Sequence, residues 1–392
     1  MRVTLLSNGH GEDTVGATLG EALRSLAPEL ALQAFPTVDA GEAYERLGVP
    51  ILGPRRVMPS GGLTAHTLAA LLADLRAGFL SMTAAQVRAL RRLETDALVV
   101  IGDLYALLLS SAVRTRSRFY VQTLVSSYHA GGRSLNRYFM ERFSLPERAL
   151  IRRLVRHTYV RDAPTAALLA RYGLPASALG NPMLDPLTAP PEADLALGVP
   201  LTPPVVALLP GTRRYAPAAL ERMLGALERW PEATGLVAWA NGALPTLPGW
   251  RLEPVGPGWR VVRSATSAHP PRVYLLQHRF AEVLRASQLA LGTSGTAHEQ
   301  AAALGLPVVA FALPPDYTPA FLANQARLLG AALTLAAANP AALAEALQRL
   351  WGDPERYRRA SEAGRARMGA PGGGEAIARD ILRRLAATEP SH

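Results

Sequence analysis

Short apolar runs punctuate almost the whole chain, and longer segments with apolar residues at helical spacing fall between them. Val3–Leu6, Leu30–Phe35, Ala97–Ile101 and Phe119–Leu124 are such runs; Thr14–Ala27, Leu104–Val113 and Ala163–Tyr172 are the periodic segments. A run that is apolar at every position needs cover on both faces, which parallel strands between two layers of helices receive. The alternation therefore predicts α/β units on parallel sheets.

The series is interrupted once. From Asn181 to Pro204 the chain carries Pro182, Pro186, Pro190, Pro191, Pro200, Pro203 and Pro204. Such a cluster continues neither a helix nor a central strand. It then restarts with Val205–Leu209, a helix from about Pro217 to Trp230, and strands at Leu236–Trp239, Val273–Leu276, Leu289–Leu291, Val308–Ala312 and Ala332–Leu335. Helical segments follow at Phe280–Ala286, Ala297–Leu304, Ala320–Leu329 and Ala341–Trp351, then at Pro354–Met368 and Glu375–Leu385, split by Gly372-Gly373-Gly374. The chain of 392 residues thus reads as two doubly wound domains, 1–185 and 205–370, with a linker at 186–204. Ligands bind outside the carboxyl ends of the strands in such sheets. Residues 53–95 fit less well: Leu63–Leu80 is nearly all apolar but too interrupted to span a bilayer, and a buried helix pair is the expectation, with an apolar surface that touches lipid as the alternative.

Composition removes several chemistries. There is no cysteine, hence no disulfide, thiolate zinc site or cysteine nucleophile. There is also no lysine, so all 41 basic residues are arginine; a P-loop lysine and a Schiff-base lysine are both excluded. The start, Met1-Arg2-Val3-Thr4-Leu5-Leu6, lacks the basic and apolar regions of a secretory signal, and a cytoplasmic protein is expected. The net charge is +10, of which residues 1–180 hold 21 arginines against 14 acids. Between 114 and 161 there are 11 arginines and two acids, Glu141 and Glu147. Arg148, Arg152, Arg153 and Arg156 interleave with Leu145, Leu150, Ile151, Leu154 and Val155. That pattern is a solvated helix face over a core, or a face for anionic lipid headgroups. No motif or aromatic platform for nucleic acid accompanies it.

Four strand ends carry candidate chemistry. Ser7-Asn8-Gly9-His10-Gly11-Glu12-Asp13 follows the first strand and opens a helix. Its glycines allow close approach of a ligand and the helix start offers N–H groups, although the spacing is not the dinucleotide fingerprint. A turn capped by Asp13 is the structural alternative. Pro210-Gly211-Thr212-Arg213-Arg214 is the corresponding turn of the second half, with hydroxyl, N–H and guanidinium groups suited to a diphosphate. Gly292-Thr293-Ser294-Gly295-Thr296-Ala297-His298-Glu299 is the third; a Glu299 in the first turn serves either ribose hydroxyls or the helix dipole. Asp103 closes the apolar run Val99-Val100-Ile101-Gly102, placed to be a general base with a raised pKa or a helix N-cap.

These sites, in this order, resemble the lipid-A-disaccharide synthase family. LLPGTRR at 208–214 resembles its LLPGSR segment and GNPMLD at 180–185 its G-H-P-L-x-D segment. LGTSGTAHEQAAALGLPVV at 291–309 is similar to its sugar-nucleotide loop, and to that of the N-acetylglucosaminyltransferase that makes the peptidoglycan lipid precursor. The likeness is closest to a branch related to the synthase rather than the synthase itself. It implies a GT-B architecture of two Rossmann-like domains, with a UDP-sugar donor, of the N-acetylhexosamine type, in the second and a lipid-linked acceptor in the first. By position, Gly211, Thr212 and Arg213 would hold the diphosphate, Thr293, Ser294, Gly295 and Thr296 the phosphate side, Glu299 the ribose, and Asn324 and Gln325 the sugar. Asp103 matches the catalytic aspartate, with His10 as the alternative base, and Asn8, Gly9, Gly11, Glu12 and Asp13 form the acceptor-side loop. The segment 371–392 would hold a last helix crossing back to the first domain.

Two departures stand out. Leu184 occupies the place of an arginine in the peptidoglycan enzyme, and SNGHGED differs from the synthase's own glycine-serine loop. With no D-x-D pair, no metal or cofactor is expected, and fixed dipoles would stabilise the departing UDP. The basic first half fits an enzyme peripheral on the inner face of the cytoplasmic membrane. An isomerase of the UDP-N-acetylglucosamine 2-epimerase type and a non-catalytic nucleotide-sugar-binding protein are the competing readings.

Overall fold

The computed structural model describes residues 1–38, 40–55, 78–129, 143–188, 201–256, 259–265 and 271–387, the His10 side chain excepted. The chain divides into two compact units, Met1–Asp185 with Ala370–His392, and Pro186–Gly369.

In the first unit the described strands are β1 (Arg2–Ser7), β2 (Ala31–Pro36), β3 (Ala97–Gly102), β4 (Ser117–Gln122), β5 (His157–Val160) and β6 (Ala176–Ser177). They form one parallel sheet in the order β2-β1-β3-β4-β5-β6. The chain runs from β1 through α1 (His10–Leu26) to β2, then returns to place β3 on the other side of β1. The direction of winding thus reverses between β1 and β3, and a crevice opens at their carboxyl ends. On one face Val3, Leu5, Val99 and Ile101 pack against Val15, Leu19 and Leu23 of α1. The same layer includes Ile377, Ala378, Ile381 and Leu385, the apolar stripe of the helix Gly373–Ala386. On the other face Leu98 and Val100 meet Leu107 and Leu109 of the helix Leu104–Ser110, and Ile151. Each fully buried leucine or isoleucine is worth about 1.5–3 kcal/mol.

The last helix is tied down by polar contacts as well. Both oxygens of Asp185 accept main-chain N–H groups, Gly372 at 2.6 Å and Gly374 at 2.7 Å, and Asn181 N donates to Ala370 O at 2.9 Å. The GNPMLD segment therefore has a structural use here, anchoring the N-terminus of the final helix. Farther along, Asp380 accepts from Tyr159 Oη at 2.8 Å and Arg384 Nε at 2.6 Å, and pairs with Arg383.

In the second unit the described strands are β7 (Val205–Leu209), β8 (Thr234–Trp239), β9 (Trp250–Gly256), β10 (Trp259–Ser264), β11 (Arg272–Gln277), β12 (Leu289–Gly292), β13 (Val308–Ala310) and β14 (Leu333–Leu335). Their order is β14-β13-β12-β7-β8-β11-β10-β9. All pairs are parallel except β9 with β10 and β10 with β11. Winding reverses between β7 and β12, where this unit's crevice opens. Val206, Leu208, Val237, Leu289 and Leu291 meet Leu220, Met223, Leu224 and Leu227 of the helix Ala216–Glu228 in the core.

Several expectations need revision. The β9–β10 hairpin escapes an apolar-run reading because β9 alternates exposed and half-exposed residues, ending in exposed Pro254 and Val255. Among the described residues of the arginine-rich run, Leu145–Leu154 is the α-helix, and His157–Val160 after it is a strand. Some of its charges are spent on the fold: Arg148 lies 4.2 Å over the Tyr172 ring, and Arg152 donates to Tyr172 O at 3.0 Å. Arg118 is buried and donates to Ser110 O and Val113 O, both at 2.9 Å. Of the expected linker, residues 189–200 lie outside the described residues; so do 56–77, the larger part of the expected helix pair, whose remainder includes the helix Phe79–Arg91. Among the described residues no helix is long and apolar enough to cross a membrane.

Candidate active site

In the first unit β1 ends at Ser7 and β3 at Gly102, adjacent strands whose following residues converge. Asn8 Nδ2 donates to Asp103 Oδ1 at 2.6 Å. Asp103 also caps the helix Leu104–Ser110, its Oδ1 accepting from Tyr105 N at 2.9 Å and Ala106 N at 3.5 Å. The capping use is thus real. Burial raises the Asp103 pKa above the ordinary aspartate value, against the hydrogen bonds that lower it. Gly102 sits at φ +138°, and a Cβ there would overlap Asn8 Oδ1, so the close approach of the two loops requires glycine.

Behind this pair, Ser7 Oγ donates to Asp13 Oδ1 at 2.6 Å and accepts from Tyr44 Oη at 2.9 Å, all three side chains being buried. Asp13 is the fourth residue of α1, not its cap; the N-cap is Gly9, without a side-chain bond. Glu12 Oε1 accepts from Thr123 Oγ1, beyond β4, at 3.1 Å. Gly11 at the helix start is exposed. His10 opens α1, and its side chain lies outside the described residues.

A carboxyl group the sequence did not single out as functional lies nearby. Glu147, on the helix Leu145–Leu154, is buried and accepts from Tyr120 Oη at 3.0 Å and Gln122 Nε2 at 3.4 Å. Burial pushes its pKa up to about 7, and the charge of Asp103 adds to that rise. The only sequence signal is Ser144 three residues earlier, whose Oγ accepts from Glu147 N as an N-cap.

In the second unit the turn after β7 and the loop after β12 touch. Thr293 is buried; its Oγ1 donates to Pro210 O at 3.0 Å and its N to Leu209 O at 3.1 Å. Gly211 turns at φ +81° with its vacant Cβ position 3.4 Å from Ser294 Cβ. Tyr215 Oη reaches Thr293 O at 3.0 Å. Thr212 and Arg213 are exposed beside this loop pair. Arg214 is occupied in a two-pronged bond to Asp316, at 2.9 and 2.8 Å.

The helix Gly295–Ala303 starts at the same place, with Ser294 as N-cap and no acid in its first turn. It begins two residues earlier than its apolar pattern predicts, so Glu299 is its fifth residue rather than a first-turn acid. Complementing the helix start is therefore not its use; it is half-buried, one turn along. Thr296 is exposed, while Ser294 and Gly295 are partly so.

Gln325 calls for correction. Its side chain is buried, with Oε1 bonded to His298 Nδ1 at 3.0 Å and to Tyr317 Oη at 3.0 Å. It braces the loop from beneath rather than facing outward. His298, fully buried, is held neutral by desolvation with a pKa lowered to about 4. Neighbouring Asn324 is half-buried and accepts from Arg327.

Comparison with known proteins bears on the fold. The chain is 32% identical over 151 residues to the lipid-A-disaccharide synthase of Burkholderia thailandensis, a match spanning 36% of this chain and 35% of that enzyme. The chain thus spans about a third of the length of the curated relative it matches. No family model matches. The UDP-GlcNAc 2-epimerase of Neisseria meningitidis, solved with UDP-GlcNAc bound, aligns with 99% of this chain and 100% of its own at TM-score 0.56 and 14% identity. MurG of Acinetobacter baumannii aligns with 97% and 99% at TM-score 0.57 and 13% identity. The fold is GT-B. Each unit of this chain is one of its Rossmann-like domains, built on a parallel sheet.

Proposed function

We propose that the chain is a glycosyltransferase that moves a hexosamine-type sugar from a UDP-sugar to a lipid-linked acceptor. The observation that carries the reading is the β7/β12 crevice. There, an exposed Thr212–Arg213 pair, a glycine turn and the acid-free start of a nine-residue helix come together, with Glu299 one turn farther along. Main-chain N–H groups and a guanidinium suit a diphosphate, and a carboxylate one turn away suits the hydroxyls of a ribose. The partial likeness to a lipid-A-disaccharide synthase supports a transferase over other users of this fold.

In this reading Thr212, Arg213 and the 293–296 loop stabilise the departing UDP with dipoles already in place, without a metal or other cofactor. Asn324 lies toward the donor sugar. Asp103 takes the proton of the acceptor hydroxyl, the oxygen forms the new bond to the anomeric carbon, and the bond to UDP breaks with its electron pair. The acceptor lies against the first unit's loop, Asn8 to Asp13, and the enzyme works at the cytoplasmic face of the membrane. A second reading, epimerisation of the same nucleotide sugar, is favoured by the likeness to the Neisseria epimerase and by two neighbouring carboxyl groups with raised pKa values, half-buried Asp103 and buried Glu147.

Calorimetric titration with UDP tests the donor site: the wild type binds, and Glu299→Ala binds at least tenfold more weakly. Absence of binding by the wild type refutes the donor assignment. Incubation with UDP-N-acetylglucosamine alone separates the two activities, since an epimerase inverts the sugar without an acceptor and a transferase leaves it unchanged.

A further inference from the structure

Asp103 is one of several N-capping residues in the chain, and it differs from the closest comparison. Asp162 caps the helix Ala163–Arg171 with both oxygens occupied: Oδ1 accepts from Thr165 N at 2.8 Å and Thr165 Oγ1 at 2.5 Å, and Oδ2 from Ser126 Oγ at 2.7 Å. At Asp103 the donors from Asn8, Tyr105 and Ala106 all converge on Oδ1, and none of them reaches Oδ2. Two main-chain N–H groups already satisfy the cap, so the Asn8 bond is additional to it.

That bond comes at a cost. Asn8 is 93% buried, and its own Oδ1 has no hydrogen-bond partner. A buried acceptor left unpaired destabilises a fold, because it has given up its water without a replacement. The amide cannot reverse to relieve this, because its oxygen would then face the acceptor-only Asp103 Oδ1. Gly102, lacking a Cβ, makes room for the amide. The fold tolerates an unpaired oxygen on one side of Asn8 in order to hold an N–H against Asp103 on the other.

We propose that Asn8 is the positioning residue for the catalytic carboxylate: by fixing Asp103 Oδ1 it assigns Oδ2 as the oxygen that receives the acceptor's proton. This rests on the transferase reading of Asp103 as base. The ionised oxygen that already accepts three bonds is the less basic one, and a carboxylate held in one rotamer presents the other at a constant angle. The titratable groups whose charge reaches Asp103 are Tyr105 on its own helix, Tyr120 on β4 and Glu147 on the helix Leu145–Leu154.

The test titrates Asp103 directly by carbon-13 carboxyl NMR, assigned through Asp103→Asn, in the wild type, Asn8→Ala and the near-isosteric Asn8→Asp. Losing a hydrogen bond to the charged form raises the Asp103 pKa by about one to two units in Asn8→Ala, and by more in Asn8→Asp, where a like charge replaces the donor. The acid limb of kcat/KM for sugar transfer moves by the same amount, a tenfold to hundredfold fall below it, while the affinity for UDP stays unchanged. A purely structural asparagine lowers the melting temperature in both variants and leaves the limb in place. Unmoved Asp103 titration in folded variants overturns the proposal, as does a moved titration that the rate does not follow. If the wild type neither binds UDP nor transfers sugar, the transferase reading fails by itself, and the NMR shift is still read separately.

Discussion

At the end of β1 side chains hold side chains: Asn8 bonds Asp103, Tyr44 bonds Ser7, Ser7 bonds Asp13 and Thr123 bonds Glu12. At the end of β7 the main chain dominates, with Leu209 O, Pro210 O and Thr293 O as acceptors and a neutral histidine beneath. The same topological position, a reversal of winding, has thus been furnished in two ways. A network rich in carboxyl groups governs protons, because each member's charge depends on its neighbours. A loop of glycines at a helix start, with Arg213 exposed beside it, favours negative charge. On the function proposed above, the first crevice would deprotonate an acceptor and the second would hold a diphosphate.

The most severe way to break this contrast is Gly102→Ala, which forces an alanine to φ +138° and drives its Cβ into Asn8. A loss above about 3 kcal/mol is expected, confined to the first unit. Tryptophan fluorescence is a clean monitor of the other half, since all five tryptophans (230, 239, 250, 259 and 351) lie in the second unit. Scanning calorimetry should show one transition lowered, with UDP binding retained. Equal movement of both transitions would mean that the two crevices are not independently built.

The units should also answer pH with opposite signs. Glu147 titrates near 7 when folded and near 4.5 when unfolded, so the folded state keeps a proton that the unfolded state has released. Its contribution is full below pH 4.5 and is lost as pH rises to about 7, about 3 kcal/mol in all. His298 is depressed from 6.5 to about 4; its contribution is full above 6.5 and is lost as pH falls toward 4. His157, held to about 4, acts in that second sense inside the first unit, so Glu147→Gln is the variant that isolates the carboxyl effect. Urea denaturation across pH 4–8 should lose its alkaline decline in that variant while the fluorescence-detected acid decline persists.

Smaller effects refine the second crevice. Tyr215→Phe removes the bond to Thr293 O and should lower stability by about 1 kcal/mol, with UDP affinity several-fold weaker. Arg214→Ala breaks an exposed pair with Asp316 and should leave the melting temperature unchanged. By contrast Arg213→Ala, one residue away, should weaken UDP binding about tenfold without touching the fold. If the two variants behave alike, that crevice is an ordinary turn with surface arginines.

What the sequence made legible follows from burial. β3, buried at all six residues, announces itself as ALVVIG, and the turns after β7 and β12 announce themselves as glycine and hydroxyl residues at a strand end. β9 sits at the sheet edge with exposed side chains and carries no such mark. The site was legible to the same extent. Glycines and charged residues near strand ends were visible, but Asn8 meets Asp103 across 95 residues of chain, and nothing local in either segment specifies that pairing. Gln325 was misplaced for a related reason: a glutamine beside an asparagine reads as polar surface, and only the packing of Tyr317 and His298 makes it interior. Glu147 was read among surface arginines, although it is the acid beneath them.

The helix Gly373–Ala386, clasped by Asp185 and seated on α1, has a bearing on the order in which this protein is made. Its Ile377, Ile381 and Leu385 complete a hydrophobic layer begun by Val3 and Leu5, so the first unit to leave the ribosome is the last to be finished. The second unit, whose strands are contiguous in the chain, has all its parts while the first still exposes an open face on α1. Synthesis halted before residue 373 would leave a completed second unit attached to an aggregation-prone first unit, which quality control would meet before any activity appeared.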